Sequence, residues 1–157
     1  MLVKIEFTKE QEQEIRSWIN ELRTTTKGQA NRRLRLGDTF CCLGLYLDSQ
    51  EETKWTKMYP YALDVNCYAW IEKDSTLYRD EHKICLPSQW SEKLGLNKTC
   101  YKLNNHPFNL NSMAMRLNDK CQFTFKQIAD EFEHILDTGY VRDELIDTLG
   151  WCTSETC

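Results

Sequence analysis

The chain has neither a long hydrophobic run nor a secretion signal at its start. Of its 157 residues, the longest apolar run covers only 40–47, far short of the ~20 residues that a helix needs to cross a bilayer. The first residues, 1–6, lack the basic, apolar and small-residue order of a signal peptide. These absences predict a cytoplasmic protein that makes no membrane contact.

Cys-x-x-Cys pairs are also absent, although the chain has eight cysteines. Without a secretion signal the cysteines would lie in a reducing compartment, where structural disulfides are rare. The one close His/Cys pair is His82 with Cys85, and this spacing is not that of a structural zinc site. We expect reduced thiols, no metal and no cofactor. At least one of the adjacent Cys41 and Cys42 should pack in the core as a small apolar group.

Motifs of common enzyme classes are missing as well. The chain has no Gly-rich phosphate loop and no zinc-hydrolase motif. None of its three histidines carries a motif that links it to Cys41 or Cys42 as the base of a nucleophile. The carboxylates over 130–137 have the spacing of a solvent-exposed helix face. The sequence therefore favours a binding protein over an enzyme.

What the chain does have is the composition of a folded domain. Hydrophobic residues make up 41% and charged residues 28%, which leaves enough apolar surface to form a core. A chain of this length usually forms one domain, so we expect a single domain over 1–157. The patterns along it predict an α+β fold that is mainly helical, with about five to six short helices and a small β element in the central region.

The N-terminal region predicts a strand and then a helix. Apolar and charged residues alternate over 3–7, which is the pattern of a short half-buried strand. Thr8 and Gln11 have the spacing of a capping box. Apolar residues follow at helical spacing: Ile15, Trp18, Ile19 and Leu22. This helix should end near 24–26, where β-branched residues make continuation costly.

A second helix is predicted around the two adjacent cysteines. Thr39 is a candidate N-cap for a short helix over 40–47. The run is apolar on all sides, so it must be buried. Periodicity does not separate such a run from a buried central strand, and the strand stays open as the alternative.

The remaining elements are predicted from turn and capping signals. In the central region we expect short strands within 62–71 and 82–86, then a helix capped by Ser88 and followed by Gly95. Further on we expect helices over 111–117, over 125–136 and over 141–151. The second of these has a capping box and a C-terminal glycine, formed by Thr124, Gln127 and Gly139.

One segment is strongly cationic in a protein of net charge −4. Residues 23–36 contain five cations and no acid. Three of the arginines precede the predicted helix start at Thr39, where free backbone amides attract anions. Guanidinium groups add bidentate hydrogen bonds, and Trp18 or the central tyrosines could supply an aromatic wall. The alternative is that the arginines pair with acids at the surface.

The candidate ligand-binding residues lie in and around this cationic segment. The main candidates are Arg32, Arg33, Arg35, Thr39, Cys41 and Trp18. The secondary candidates are Arg23, Lys27, Asn118 and Asp119.

Several motifs resemble a family of small uncharacterised proteins that are common in bacteriophage genomes and prophages. The resemblance rests on the Trp-x-x-x-Leu-Arg helix at 18–23, on Leu34-Arg35 and on Phe-Cys-Cys-Leu-Gly at 40–44. Leu-Pro at 86–87 and Leu-Asn-Asp at 117–119 look like its middle and C-terminal segments. The sequence departs from the family pattern at Leu45, where Val is usual, and near Cys121, where Gly is usual. The resemblance implies a viral protein of the host cytoplasm, with no known activity.

Three functions are compatible with these observations. Small phage accessory proteins often neutralise host defences, so the resemblance and the cationic segment predict a protein that sequesters a small phosphorylated or nucleotide-derived host signal without catalysis. The alternative is a protein-binding inhibitor or modulator of a host factor, with the aromatic residues of 55–78 as hot spots. A DNA-binding regulator is disfavoured, because 121–157 carries two basic residues against eight acids. Ligand-sequestering proteins often bind at subunit interfaces, so we also expect a homo-oligomer.

Overall fold

The computed structural model describes residues 1–50, 54–57, 67–71 and 84–150. These residues form six helices and seven short strands, an α+β fold. The helices are α1 (Lys9–Thr24), α2 (Cys42–Asp48), α3 (Ser88–Lys93), α4 (Leu110–Asp119), α5 (Phe125–Thr138) and α6 (Asp143–Leu149). The strands are β1 (Gly28–Gln29), β2 (Arg35–Leu36), β3 (Thr39–Phe40), β4 (Lys54–Lys57), β5 (Cys67–Ile71), β6 (Thr99–Leu103) and β7 (His106–Asn109). None of these helices is long and apolar enough to span a bilayer.

The two longest helices begin at capping boxes, as predicted. Thr8 Oγ1 accepts a hydrogen bond from Gln11 N at 3.1 Å, and Gln11 Oε1 accepts one from Thr8 N at 3.1 Å. Thr124 and Gln127 repeat this arrangement at the start of α5 with distances of 3.2 and 2.9 Å. Gly139 follows α5 with a φ of 78°, the left-handed conformation that commonly ends a helix. Local sequence signals therefore determine where both helices begin.

α1 and α5 pack against each other through their apolar faces. The buried residues of α1 are the predicted ones: Ile15, Trp18, Ile19 and Leu22. The rings of Trp18 and Phe132 meet edge-on with centres 4.8 Å apart, an arrangement that adds about 0.5–1.5 kcal/mol beyond the burial itself. This helix pair belongs to a connected core of buried residues that extends from Ile5 to Leu149.

The double-cysteine run forms the buried helix α2, so the helical prediction is confirmed for this part and the strand alternative is wrong. The helix begins later than predicted, because Thr39 and Phe40 form β3. Cys41 replaces Thr39 as the N-cap, and its Sγ accepts a hydrogen bond from Gly44 N at 3.4 Å. A Cβ on Gly44 would lie 1.7 Å from the carbonyl oxygen of Leu34. Glycine is therefore required where this backbone packs on the helix.

Five short strands form a mixed sheet in the order β1-β3-β2-β5-β4. β1 runs parallel to β3, and the other neighbours are antiparallel. The register pairs Arg35 with both Phe40 and Tyr68, and pairs Tyr68 with Lys57. Directly opposed residues of antiparallel strands point to the same face of a sheet. Phe40, Arg35, Tyr68 and Lys57 therefore form one row across four strands, which we call the cross-strand row.

The N-terminal strand predicted over 3–7 is wrong. Leu2 makes an isolated bridge to Tyr101 of β6, and 3–7 are not in a strand. Further along, Ile5 N donates a hydrogen bond to the carbonyl of Gly139 at 2.8 Å, just after α5. Since the backbone donors of this segment bind two different elements, no continuous ladder forms.

The central strand predictions are confirmed only in part. β5 lies within the stretch 62–71 that was predicted as a strand, while 62–66 lie outside the described residues. Residues 84–86 are not in a strand, so that part of the second prediction is wrong, and 82–83 lie outside the described residues. A turn before α3 takes the place of this strand.

The later helices lie close to their predicted positions, but the predicted N-cap of α3 is wrong. Ser88 is the first residue of α3, and the cap position belongs to Pro87, which has no side-chain hydrogen bond to offer. Gly95 follows α3 with a φ of 68°. α4 begins after Asn109, whose Oδ1 accepts a hydrogen bond from Ser112 N at 2.8 Å. α6 lies within the predicted C-terminal helix.

Asn118 is fully buried, and its side chain joins three segments. Its Oδ1 accepts hydrogen bonds from Cys42 N at 3.1 Å and from Gln29 Nε2 at 2.9 Å. Its Nδ2 donates to Ala30 O and to Asp119 Oδ1, both at 2.8 Å. A buried amide needs partners for its polar atoms. The loop after β1, the start of α2 and the end of α4 are therefore held together around one side chain.

Replacing Asn118 should test how much the fold depends on this amide. Asn118→Ala leaves Cys42 N and Ala30 O buried without this partner, so we expect a loss of about 3 kcal/mol in the free energy of unfolding. Urea denaturation measures the change. Asn20→Ala on the exposed face of α1 is the matched control and should stay within about 0.5 kcal/mol of wild type. Equal stability of both variants would contradict the assigned role of Asn118.

Candidate functional site

Acids from distant elements neutralise the first two cations of the cationic segment. Arg23 donates hydrogen bonds to Glu133 at 2.8 and 3.0 Å and to Asp130 at 2.8 Å. The Arg23 hydrogen bond lowers the pKa of the Glu133 carboxyl below its usual range. Lys27 forms an ion pair with Asp48, the last residue of α2. Two of the four secondary candidates, Arg23 and Lys27, are thus paired with carboxylates, as the alternative interpretation of the segment predicted.

The start of α2 is occupied by the protein itself, so it does not form the predicted anion site. Cys42 N donates to Asn118 Oδ1, and Gly44 N donates to Cys41 Sγ. Thr39 Oγ1 donates to a backbone carbonyl 2.7 Å away. Cys41 is buried. Three of the candidates, Thr39, Cys41 and Asn118, therefore hold the backbone together here.

Trp18 does not lie at the surface either. Only 1% of it is exposed, and its Nε1 donates a hydrogen bond to the carbonyl of Cys42 at 2.9 Å. The prediction that this ring forms the wall of a ligand site is wrong, because the helical face that carries Trp18 is the one that packs into the core.

Arg32 lies in an exposed loop and has an unusual backbone conformation. Its φ is 60°, which is uncommon for a residue other than glycine. Arg32 N donates to Asp119 Oδ1 at 2.8 Å, and this bond holds the conformation. The guanidinium of Arg32 makes no hydrogen bond or ion pair with any residue that the structure describes. Arg33 is half-buried and donates from Nη1 to the carbonyl of Arg32 at 2.7 Å. Arg32 is therefore a single exposed cation on a fixed loop.

Arg35 lies inside the cross-strand row, surrounded by aromatic side chains. The centre of its guanidinium is 4.1 Å from the ring centre of Tyr68, 5.4 Å from that of Phe40 and 5.8 Å from that of Trp55. All three distances lie within the roughly 6 Å range of cation–π attraction. Arg35 Nε donates a hydrogen bond to the carbonyl of Gly37 at 2.9 Å. Three rings and one backbone bond thus fix the guanidinium.

The terminal nitrogens of Arg35 make few contacts with the described residues. Neither Nη atom donates a hydrogen bond to a residue in the described part of the chain. The carboxylate of Asp38 lies 4.0 Å from Nη2 and is fully exposed, so that ion pair is weak. The side chain of Arg35 is only 21% exposed. Its free donors are partly shielded from water, which strengthens a charge-assisted bond to an anion.

Lys27 and Asp48 complete the group around Arg35. Lys27 Nζ lies 5.1 Å from the ring centre of Phe40 and pairs with Asp48. Asp48 Oδ1 also accepts a hydrogen bond from Trp55 Nε1 at 2.9 Å. We call these side chains the Arg35 cluster: Lys27, Arg35, Phe40, Asp48, Trp55 and Tyr68.

Four members of the Arg35 cluster were missed as candidate residues: Phe40, Asp48, Trp55 and Tyr68. The expectation that central tyrosines would form an aromatic wall named the right residue type, and Tyr68 lies against Arg35. The individual residues could not be found, because they meet through strand register. β2 and β3 have two residues each, too few to produce a periodic signal.

The described aromatic residues of 55–78 are not an exposed surface. Trp70 is buried, and its ring meets that of Trp90 edge-on with centres 6.3 Å apart. Trp55 and Tyr68 are half-buried in the Arg35 cluster. The remaining aromatic residues of this stretch lie outside the described residues: Tyr59, Tyr61 and Tyr78. The predicted protein-binding hot spots thus receive no support from the described rings.

The buried thiols are poorly suited to nucleophilic catalysis. Burial raises the pKa of Cys41 and of Cys100 to about 12, and it raises the pKa of Cys42 well above its usual value. The thiolate is the nucleophilic form of cysteine, so these three thiols stay protonated at neutral pH. Among the described residues, no group of His, Cys, Asp and Glu side chains is arranged to hold a metal ion.

A family model covers most of the chain. The family is described as a domain of unknown function (DUF8296), and its model matches residues 11–136. The chain belongs to this family. The matched region includes the whole Arg35 cluster and Asn118, so both lie within the family's domain. A search of curated proteins and a search of solved structures find no match.

Thiol alkylation should separate the buried cysteines from a less buried one. In the native protein at pH 8, iodoacetamide should modify the half-buried Cys121 before Cys41 and Cys42, because burial keeps the latter two protonated and inaccessible. Peptide mass spectrometry over time measures the order. In denaturant all three should react at similar rates. Rapid native modification of Cys41 would show that it is an activated thiol.

A pH titration should detect the pairing of Arg23. Arg23→Gln removes the group that lowers the pKa of Glu133, so that pKa should rise toward the usual value of about 4.3. In wild type the stabilisation from this pair is present above the usual pKa and is lost as pH falls through the lowered one. NMR of the side-chain carboxyls measures the pKa of Glu133 in wild type and in the variant. Glu131, whose pKa burial raises, is the internal reference and should not change.

Proposed function

We propose that this protein binds a small phosphorylated, nucleotide-like ligand at the Arg35 cluster and does not turn it over. One observation carries the proposal. Tyr68, Phe40, Trp55 and the carbonyl of Gly37 fix the guanidinium of Arg35, while its terminal nitrogens make no hydrogen bond within the described part of the chain.

The chemistry of a fixed guanidinium supports phosphate as the recognised group. Two parallel N–H donors match two phosphate oxygens, and the resulting bonds are charge-assisted. Arg35 is already ordered by its neighbours, so less side-chain entropy is lost when a ligand binds. Partial burial also lowers the local dielectric constant and strengthens the attraction. Arg32 has the same fork of donors but lacks the other two features, since it is exposed and no aromatic ring of the described residues lies in cation–π range of it.

The aromatic members of the cluster support a base or another flat ring in the ligand. Trp55 and Tyr68 are half-buried, so part of each residue lies at the surface. Stacking of a base on an aromatic side chain contributes roughly 1–3 kcal/mol. A ligand that carries both a phosphate and a base would use Arg35 and one of these rings together.

The biological role follows from the resemblance to phage proteins. A phage-encoded accessory protein with such a site would act against host defence by sequestering a nucleotide-derived host signal in the host cytoplasm. Sequestration requires tight binding and no chemical step, which agrees with the protonated thiols near the cluster. Capture of a host protein is the alternative. A homo-oligomer stays a prediction that light scattering tests.

Calorimetry with a panel of nucleotides tests this proposal. We expect at least one mono-, cyclic or dinucleotide to bind wild type, and we expect Arg35→Gln to weaken that binding by about tenfold or more, since each bond to a charged group contributes about 1.5–3 kcal/mol. Arg32→Gln is the matched control from the same cationic segment and should bind like wild type.

Thermal unfolding of each variant shows whether it is folded, because Arg35→Gln also removes cation–π contacts of about 0.5–1 kcal/mol. The proposal fails if no nucleotide binds wild type, or if folded Arg35→Gln binds as tightly as wild type. If Arg32→Gln and Arg35→Gln lose equal affinity for the nucleotide, the assignment of the site to the Arg35 cluster is wrong, because the exposed loop then contributes as much.

A further inference from the structure

The Arg35 cluster has more positive than negative side chains among its described members. Lys27 and Arg35 both contact Phe40, and Asp48 pairs with Lys27. At the edges of the cluster, Asp38 approaches Arg35, and Lys57 is paired with Tyr68 in the cross-strand row. Asp38 and Lys57 are exposed to solvent, so the charge balance is that of the cluster's own described members: Lys27 and Arg35 against Asp48 leave one positive charge.

Asp48 is the acid that sets this balance. It is the last residue of α2, where a negative charge is unfavourable because the C-terminal end of a helix is itself partly negative. Its side chain is 22% exposed, so it is not simply a solvated surface group. The carboxylate is held on both sides, by Lys27 and by the indole N–H of Trp55.

A carboxylate in the same cluster as the proposed anion ligand lowers the attraction for any anion, and lowers it most for a doubly charged one. A phosphodiester carries one negative charge. A terminal phosphate monoester carries about 1.5 to 2 negative charges at pH 7, because its second pKa is about 6. The additional charge of the monoester would have no partner in a cluster with one positive charge in excess, and leaving a charge unpaired in a partly desolvated place is costly.

We infer that the Arg35 cluster is selective for a phosphodiester-linked nucleotide over a terminal phosphate monoester, and that Asp48 is the residue that determines this selectivity. The inference rests on the proposed function. Arg35 holds the two free oxygens of the diester, and Asp48 keeps Lys27 from acting as a second phosphate ligand.

Matched pairs of nucleotides test this inference. For each of the four bases, binding of the 3′,5′-cyclic monophosphate, a diester, is compared with binding of the 5′-monophosphate, a monoester, by calorimetry at pH 8. We expect wild type to prefer the diester by about tenfold, the size of a one-charge difference in a partly screened site. At pH 5 the monoester carries one charge, and the preference should disappear.

Asp48→Asn should remove or reverse the preference, because it frees Lys27 while Asn keeps an oxygen that accepts from Trp55 Nε1. Asp38→Asn is the matched control. Asp38 is fully exposed and lies 4.0 Å from Arg35, so this substitution should leave the preference unchanged. The NMR signal of the Trp55 indole N–H and thermal unfolding show that each variant keeps the fold.

The outcomes separate this inference from the proposed function. If wild type binds diester and monoester equally, or prefers the monoester, the selectivity is wrong and the binding function stands. If Asp48→Asn keeps the wild-type preference, Asp48 does not determine it. If wild type binds no nucleotide of either kind, the proposed function fails and the inference fails with it.

Discussion

The buried side-chain amide of Asn118 is the constraint on which the rest of this structure depends. Two donors and one acceptor carbonyl from two segments meet it: Cys42 N at the start of α2, and Gln29 Nε2 and Ala30 O at the end of β1. Because unsatisfied polar groups are costly to bury, the loop after β1 must lie against the start of α2. β1 pairs with β3, and β3 pairs with β2, so this amide anchors the side of the sheet that carries Phe40 and Arg35.

The cations of the acid-free segment have different environments because tertiary contacts supply what the local sequence lacks. α5 provides carboxylates to Arg23, and α2 provides one to Lys27. Arg35 receives aromatic rings from β3, β4 and β5. A ring attracts a cation without neutralising it. This difference is why we propose Arg35, and not its neighbours in sequence, as the anion ligand.

The predictions that succeeded are mainly those that depend on contacts between residues close in sequence. The capping boxes at Thr8 and Thr124 are hydrogen bonds between residues three apart, so a short stretch of sequence contains all of their information. The strand predicted over 3–7 failed because strands need a partner, and the partners of this segment lie in β6 and after α5. The N-cap of α2 was misplaced for a different reason: Thr39 pairs with Leu36 of β2, and strands of two residues are too short to produce a periodic signal.

The sequence by itself determined the main helices, their buried faces and the presence of a cationic segment near the double cysteine, since these depend on local hydrogen bonds and on helical periodicity. Only the tertiary structure decided which cations are neutralised, that Trp18 is in the core and that Arg35 is surrounded by rings. These outcomes depend on contacts between residues far apart in the chain. Strand register and side-chain packing settle such contacts, and neither leaves a periodic trace in the sequence.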